Sequence, residues 1–138
     1  MATVELTKDN FEQTITDNDI VVVDFWAEWC GPCRSFAPTF ESSATDHPDV
    51  VHGKVDTEDQ QELAGYFNIR SIPTLMAFRE QVLLFAQPGA LPAEALEDLL
   101  TQVKALDMEE VHSKVAAAAA ADHEDHDLED SEHAGHDH

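Results

Sequence analysis

Both cysteines of the chain lie in one short segment, Trp29-Cys30-Gly31-Pro32-Cys33, and they are the residues best suited to chemistry. Two cysteines separated by two residues at the start of a helix can open and close a disulfide with little backbone movement. The thiolate that such exchange requires is favoured at a helix N-terminus, where unpaired backbone N–H groups meet the positive end of the helix dipole. A structural zinc site is a weaker alternative, because it takes four ligands and the chain has no second cysteine pair. The segment therefore predicts thiol–disulfide exchange.

Asp24 is the second residue of chemical interest, because it interrupts an otherwise apolar run from Ile20 to Trp26. A carboxyl group inside such a run loses its contact with water, and that loss raises its pKa. One interpretation is a buried acid whose oxygens accept backbone N–H groups, and a chemical role for the carboxyl group stays open beside it.

The elements that must position these residues alternate between strands and helices. The length and β-branched content of the run from Ile20 to Trp26 predict a central strand buried on both faces. Further predicted elements are a helix over 34–45, a strand over 50–56, a helix over 58–67, a hairpin over 75–78 and 82–85, and a helix over 93–106. This order predicts an α/β fold in which helices flank both faces of a mixed sheet.

Composition limits the classes of partner and the compartment. The chain has 138 residues and a net charge of −22, and no apolar run is long enough to cross a bilayer. Nucleic acids and acidic membrane surfaces attract basic proteins, so neither is an expected partner. The first residues lack a basic and apolar leader, which favours the cytoplasm. In a reducing compartment a lone cysteine pair is more often catalytic or metal-binding than structural.

Three segments of different composition follow one another along the chain. Residues 1–107 carry the alternating strands and helices and predict one domain. Residues 108–121 include six consecutive alanines and predict a helical extension. Residues 122–138 hold eight acids and no lysine or arginine, and we expect this tail to be disordered.

The cysteine segment and two later motifs together resemble the thioredoxin family. The first motif is Asp24-Phe25-Trp26-Ala27-Glu28-Trp29-Cys30-Gly31-Pro32-Cys33; the others are Ser71-Ile72-Pro73-Thr74 and Pro88-Gly89-Ala90. The resemblance covers residues 2–107 and leaves the C-terminal segments unexplained. It implies the thioredoxin fold and a protein-disulfide reductase.

The resemblance also implies roles for the residues around the cysteines. Cys30 would attack the substrate disulfide and Cys33 would resolve the resulting mixed disulfide, while Gly31 and Pro32 would tune the reduction potential. Asp24 would accept and donate the proton of Cys33. Gly31-Pro32 resembles the reducing members of the family, whose reduction potential is about −270 mV, and this argues against an oxidising or isomerising role.

A substrate-binding edge is implied by the proline motif. Pro73 would follow a cis peptide bond and lie against the cysteines. The backbones of Ile72 and Thr74 would hydrogen-bond an extended substrate segment, and Trp29 with Gly89 would complete a flat docking surface.

The chain departs from the family at two places. Many thioredoxins pair the aspartate with a lysine on the next strand, and that position holds His52 here, with Lys54 on the same strand face. This departure leaves the route of the proton open. The hairpin segment Arg79-Glu80-Gln81 also lacks the glycine often found there, which bears on turn geometry.

The resemblance implies partners and a source of electrons. An NADPH-dependent thioredoxin reductase would recycle the Cys30–Cys33 disulfide, protein disulfides would be the substrates, and the protein would be a monomer without a bound cofactor.

The tail supports an alternative function as a thioredoxin-scaffold binding protein that handles metals or acts as a chaperone module. It carries five of the eight histidines, all interspersed with acids: His123, His126, His133, His136 and His138. Such side chains suit zinc, nickel or copper. Because a flexible tract without a preformed cage binds metals weakly, we favour an acidic tail that aids solubility and keep these histidines as weak candidate ligands.

Overall fold

The structure is a computed structural model that describes residues 2–120. Its strands form one mixed five-stranded sheet. Its strands are β1 (Val4–Glu5), β2 (Ile20–Trp26), β3 (Val51–Asp56), β4 (Thr74–Arg79) and β5 (Val82–Pro88). In space they follow the order β1-β3-β2-β4-β5. The strands β1, β3 and β2 run parallel, while β4 is antiparallel to both of its neighbours.

Helices cover both faces of this sheet, which confirms the predicted fold class. They are α1 (Phe11–Asp17), α2 (Gly31–Asp46), α3 (Gln61–Tyr66) and α4 (Ala93–Ala105). Phe36 and Phe40 of α2 and Leu100 of α4 belong to the core on one face. Phe11 and Ile15 of α1 belong to the core on the other face, where the helix α3 contributes only partly buried side chains.

The central strand β2 is buried on both faces, as its apolar sequence predicts. Its side chains alternate, so that Ile20 and Val22 pack towards α2 and α4 whereas Val21, Val23 and Phe25 pack towards α1. By the same alternation Asp24 points to the α2 side. The strand therefore delivers a carboxyl group to the face on which the cysteine-bearing helix lies.

The helix α2 begins at Gly31, three residues before the predicted start at Arg34. Gly31-Pro32 indicates a turn when it is read alone. In the first turn of a helix, however, the missing N–H of Pro32 costs nothing, because that N–H would have no partner. Pro38 lies inside the helix, as predicted.

Two further element boundaries differ from the prediction. The helix α3 begins at Gln61 instead of residue 58, because Asp56 Oδ1 accepts the backbone N–H groups of Glu58 and Asp59 at 2.9 and 3.4 Å and forms a turn first. The strand β1 was not predicted, since two residues are too short to show an alternating pattern.

The contacts within the chain divide it into two units, Met1–Lys104 and Ala105–His138. In the second unit residues 108–120 are helical, and Asp107 Oδ1 accepts the backbone N–H groups of Glu109 and Glu110 at its start. The tail 122–138 and its five histidines lie outside the described residues. Within residues 2–120 no helix is long and apolar enough to span a membrane.

The hairpin between β4 and β5 turns through two residues with left-handed backbones, Glu80 at φ 49° and Gln81 at φ 70°. Side chains other than glycine and asparagine are unfavourable there. Gln81→Gly should therefore raise the free energy of unfolding by about 1 kcal/mol, as measured by urea denaturation.

A matched control is Gln102→Gly, which makes the same change at an exposed position inside the helix α4. There glycine should lower the free energy of unfolding by about 1 kcal/mol. If both variants lost stability, the strain at Gln81 would be refuted.

Candidate active site

The two cysteines stand at the junction between β2 and α2. Cys30 is the N-cap residue of α2, and its Sγ accepts the backbone N–H of Cys33 at 3.2 Å. Their Cα atoms are 5.3 Å apart, and the two sulfurs form a disulfide. A sulfur at the N-cap position faces the free N–H groups of the first helical turn, an environment that stabilises a thiolate.

Of the two cysteines, only Cys30 lines an open groove. This groove has a volume of about 490 Å³ and is bounded by Trp29, Cys30, Gly31 and Pro32 on one side and by residues 69–72 on another. Trp29 is 68% exposed, whereas both cysteines are buried, Cys30 at 4% and Cys33 at 2% exposed, and Cys33 does not reach the groove. A substrate approaching through the groove therefore meets Cys30 first.

The loop before β4 forms the opposite wall of the site. The Ile72–Pro73 peptide bond is cis, the geometry that the resemblance implies. Ile72 packs against the cluster formed by Ala27, Cys30 and Cys33, and its carbonyl oxygen lies 3.7 Å from Cys30 Sγ. Gly89, at φ 104°, donates its N–H to the Pro73 carbonyl at 2.7 Å and so fixes the loop from the side of β5.

The backbone of Ile72 is open in this loop. Within residues 2–120 its N–H donates to no protein acceptor, and its carbonyl contacts only the Cys30 sulfur. Thr74, by contrast, is buried and lies opposite Phe25 on β2 and Pro88 on β5. Its backbone therefore points towards neighbouring strands and not to an open edge, while its hydroxyl donates to the Ser71 carbonyl at 2.6 Å.

Asp24 is fully buried, and in the described part of the chain neither carboxyl oxygen has a hydrogen-bond partner. No backbone donor within residues 2–120 satisfies this acid, so the interpretation that it accepts backbone N–H groups is wrong. Burial raises the pKa of Asp24 to about 7, and the positive charge of Lys54 opposes part of that rise. A carboxyl group in this state exists in both protonation forms at neutral pH.

Lys54 is the residue that faces Asp24 across the sheet. The register of β2 and β3 places Asp24 opposite Lys54 and Val22 opposite His52. The Lys54 ammonium lies 4.6 Å from the centre of the Trp26 ring, a cation–π contact that fixes it on this face. The predicted departure at His52 is therefore wrong, because the lysine that faces the aspartate from the next strand is present here as Lys54.

His52 is a neutral core residue in this structure. It is 1% exposed and packs its ring against Phe40. Its Nδ1 lies 3.0 Å from the Val50 carbonyl, which can only accept, so Nε2 is the acceptor for the Ser43 hydroxyl at 2.9 Å. Burial holds the pKa of His52 below its usual value. Nothing in the sequence pointed to Ser43 as its partner.

Metal binding has no support in the described part of the chain. There, no group of three histidine, cysteine, aspartate or glutamate side chains is arranged to hold a metal ion. The histidines of the tail lie outside that part.

Comparison with known proteins agrees with this geometry. A family model described as Thioredoxin matches residues 2–102. A Streptomyces coelicolor protein named "Putative thioredoxin 2" is 61% identical over 119 residues, which cover 86% of this chain and 89% of that protein. "Thioredoxin C-3" of Corynebacterium nephridii is 42% identical over 100 residues, covering 72% of this chain and 69% of the relative.

The solved structures that resemble this fold point the same way. A mutant thioredoxin from Halobacterium salinarum NRC-1 superposes with a TM-score of 0.70 at 30% identity, covering 75% of this chain and 92% of that chain. A thioredoxin from Plasmodium falciparum gives a TM-score of 0.68 at 33% identity, covering 72% and 98%. Because the family model and the relatives each span most of this chain, it belongs to the thioredoxin family of disulfide oxidoreductases.

Proposed function

We propose that this thioredoxin-family chain reduces protein disulfides with Cys30 as the attacking nucleophile and Cys33 as the resolving thiol. Both cysteines are buried, and the observation that carries the proposal is that only Cys30 of the pair borders the groove. Cys30 lines the groove beside Trp29, and Cys33 does not reach it. The family membership favours this function over the alternative of a scaffold binding protein that acts through the tail.

The first step forms a mixed disulfide. The Cys30 thiolate attacks one sulfur of the substrate disulfide, a bond forms between the two sulfurs, and the substrate S–S bond breaks. The other substrate sulfur leaves as a thiolate and takes a proton from solvent.

The second step releases the reduced substrate. Cys33 loses its thiol proton to the Asp24 carboxylate and attacks Cys30 Sγ, which closes the Cys30–Cys33 disulfide. The remaining substrate sulfur leaves as a thiolate and is protonated. Two electrons have then passed from the cysteine pair to one substrate disulfide. A carboxyl group with a pKa near neutrality suits this proton transfer, because it can both accept and return the proton.

The substrate segment would bind along the wall formed by the loop before β4. Ile72 offers a backbone N–H for strand-like pairing, Trp29 offers an exposed indole surface, and Gly89 and Pro73 shape the adjoining edge. Thr74 would act indirectly by holding Ser71 in place. Gly31 and Pro32, both exposed in the first turn of α2, would tune the reduction potential.

Recycling would come from an NADPH-dependent thioredoxin reductase, which would return two electrons to the Cys30–Cys33 disulfide. The cytoplasm is the proposed compartment, because it supplies NADPH and keeps protein thiols reduced. We propose a monomer as the working form, since each chain carries both sulfurs of the site.

The roles of the cysteines can be separated by substitution. Cys30→Ser should abolish reduction of insulin disulfides by dithiothreitol-recycled protein. Cys33→Ser should form a mixed disulfide with insulin that persists until thiol is added, as seen by non-reducing electrophoresis. Full activity in Cys30→Ser, or mixed disulfides in Cys30→Ser instead of Cys33→Ser, would reverse or exclude the proposed roles.

Asp24 should make the stability of the protein depend on pH. Its pKa is near 3.8 unfolded and about 7 folded, so the folded state holds an extra proton between these values and loses stability as pH rises through them. By this linkage Asp24→Asn should gain on the order of 4 kcal/mol over the parent at pH 8 and almost nothing at pH 4, measured by urea denaturation.

Asp98→Asn is the matched control, because Asp98 is exposed on the helix α4. Its difference from the parent should not change between the two pH values. An equal gain in the free energy of unfolding at pH 4 and pH 8 would show that the pKa of Asp24 is not raised in the folded state.

The same Asp24→Asn variant should also slow resolution of the mixed disulfide by about a hundredfold, the low end of what a general base contributes.

A further inference from the structure

The exposed indole of Trp29 separates two grooves of different charge. On one side lies the groove with Cys30, whose rim carries the exposed Arg70. On the other side lies a second groove of about 370 Å³, bounded by Trp29 and three carboxylate side chains, Glu28, Asp56 and Glu58. No lysine or arginine among the described residues lines this second groove, which we term the acidic groove.

The acidic groove is fixed relative to the cysteines before any substrate arrives. Thr57 donates both its backbone N–H and its hydroxyl to the Trp26 carbonyl, at 2.8 and 3.1 Å. These bonds attach the loop after β3 to the end of β2, immediately before the cysteine segment. Asp56 Oδ1 is held in turn by the backbone N–H of Glu58 at 2.9 Å. The Asp56 carboxylate therefore does not depend on a ligand for its position.

The groove has the features that recognise a basic side chain. An indole face attracts ammonium and guanidinium groups through cation–π interaction, and Trp29 is 68% exposed. The three carboxylates add Coulombic attraction on the same side of the ring. The remainder of the chain reinforces this sign, because the net charge of −22 repels acidic partners at long range.

We propose that the preferred substrates carry a lysine or arginine beside the attacked cysteine, and that this side chain packs on Trp29 in the acidic groove. The inference rests on the proposed function, because it assumes that Cys30 attacks a disulfide docked in the neighbouring groove. It adds a substrate class, namely protein disulfides flanked by basic residues, and it names Glu28, Asp56 and Glu58 as specificity determinants.

Three cyclic disulfide peptides that differ only in the residue before the attacked cysteine test the proposal. That residue is lysine, glutamine or glutamate. The rate of reduction by the full-length reduced protein is divided by the rate with dithiothreitol, so that intrinsic differences between the peptides cancel. At low ionic strength the lysine peptide should react about tenfold faster than the glutamate peptide, and salt should reduce the ratio.

Two variants of equal net charge separate the groove from the charge of the whole protein. Glu28→Gln, Asp56→Asn and Glu58→Gln together should lower the lysine-to-glutamate ratio to about twofold, because each exposed pair contributes a small factor. The control combines Glu12→Gln, Glu94→Gln and Asp98→Asn, exposed residues of α1 and α4 that line neither groove beside Trp29. It should keep most of the preference.

The outcomes distinguish this inference from the proposed function. If the glutamine peptide is not reduced at all, the proposed function fails. If that peptide is reduced but the lysine and glutamate peptides react equally, the basic-substrate proposal alone is overturned. If both triple variants lost the preference for the lysine peptide equally, the preference would come from the net charge of the protein. If the preference appeared only after a divalent cation was added, the groove would be a metal-binding site. Either result would also overturn the proposal.

Discussion

The chemistry of this protein depends on one junction, where β2 ends, α2 begins, and the sulfur of Cys30 acts as the helix cap. Because Cys30 Sγ accepts the N–H of Cys33, the two cysteines are held on the same turn and the attacking sulfur faces the positive end of the helix. The same turn exposes Trp29 and encloses Cys33. In the proposed mechanism, the stabilisation of the thiolate and the order in which the two cysteines react both follow from this single geometric constraint.

The strand that leads to this junction carries a cost in stability. Six of its seven residues are buried, and one of those six is Asp24, whose carboxyl oxygens have no partner in residues 2–120. A well-packed apolar side chain in that place would make the core more stable at neutral pH. In the proposed mechanism, the raised pKa of Asp24 lets this carboxyl group take the proton of the enclosed Cys33 without a water-exposed base. Lys54, held over Trp26, limits how far that pKa rises.

Much of the fold was predictable because burial on both faces leaves an unbroken apolar run in β2, and because the cysteine and proline motifs are specific. The start of α2 was misplaced since Gly31-Pro32 is read locally as a turn, although proline is acceptable in a first helical turn. The neighbour of Asp24 could not be derived either. Which residue of β3 faces it depends on the register of two parallel strands, and only the structure shows that Lys54 and not His52 lies opposite. The acidic groove likewise combines residues from two separate loops.

In the reduced protein, the helix N-terminus and the groove beside Trp29 should make Cys30 the reactive sulfur of the pair. Brief alkylation of the reduced protein with limiting iodoacetamide, followed by peptide mapping, tests it directly. The label should be found on Cys30 while Cys33 remains unmodified, from slightly acidic to neutral pH. Equal labelling of both cysteines, or labelling of Cys33 first, would contradict it.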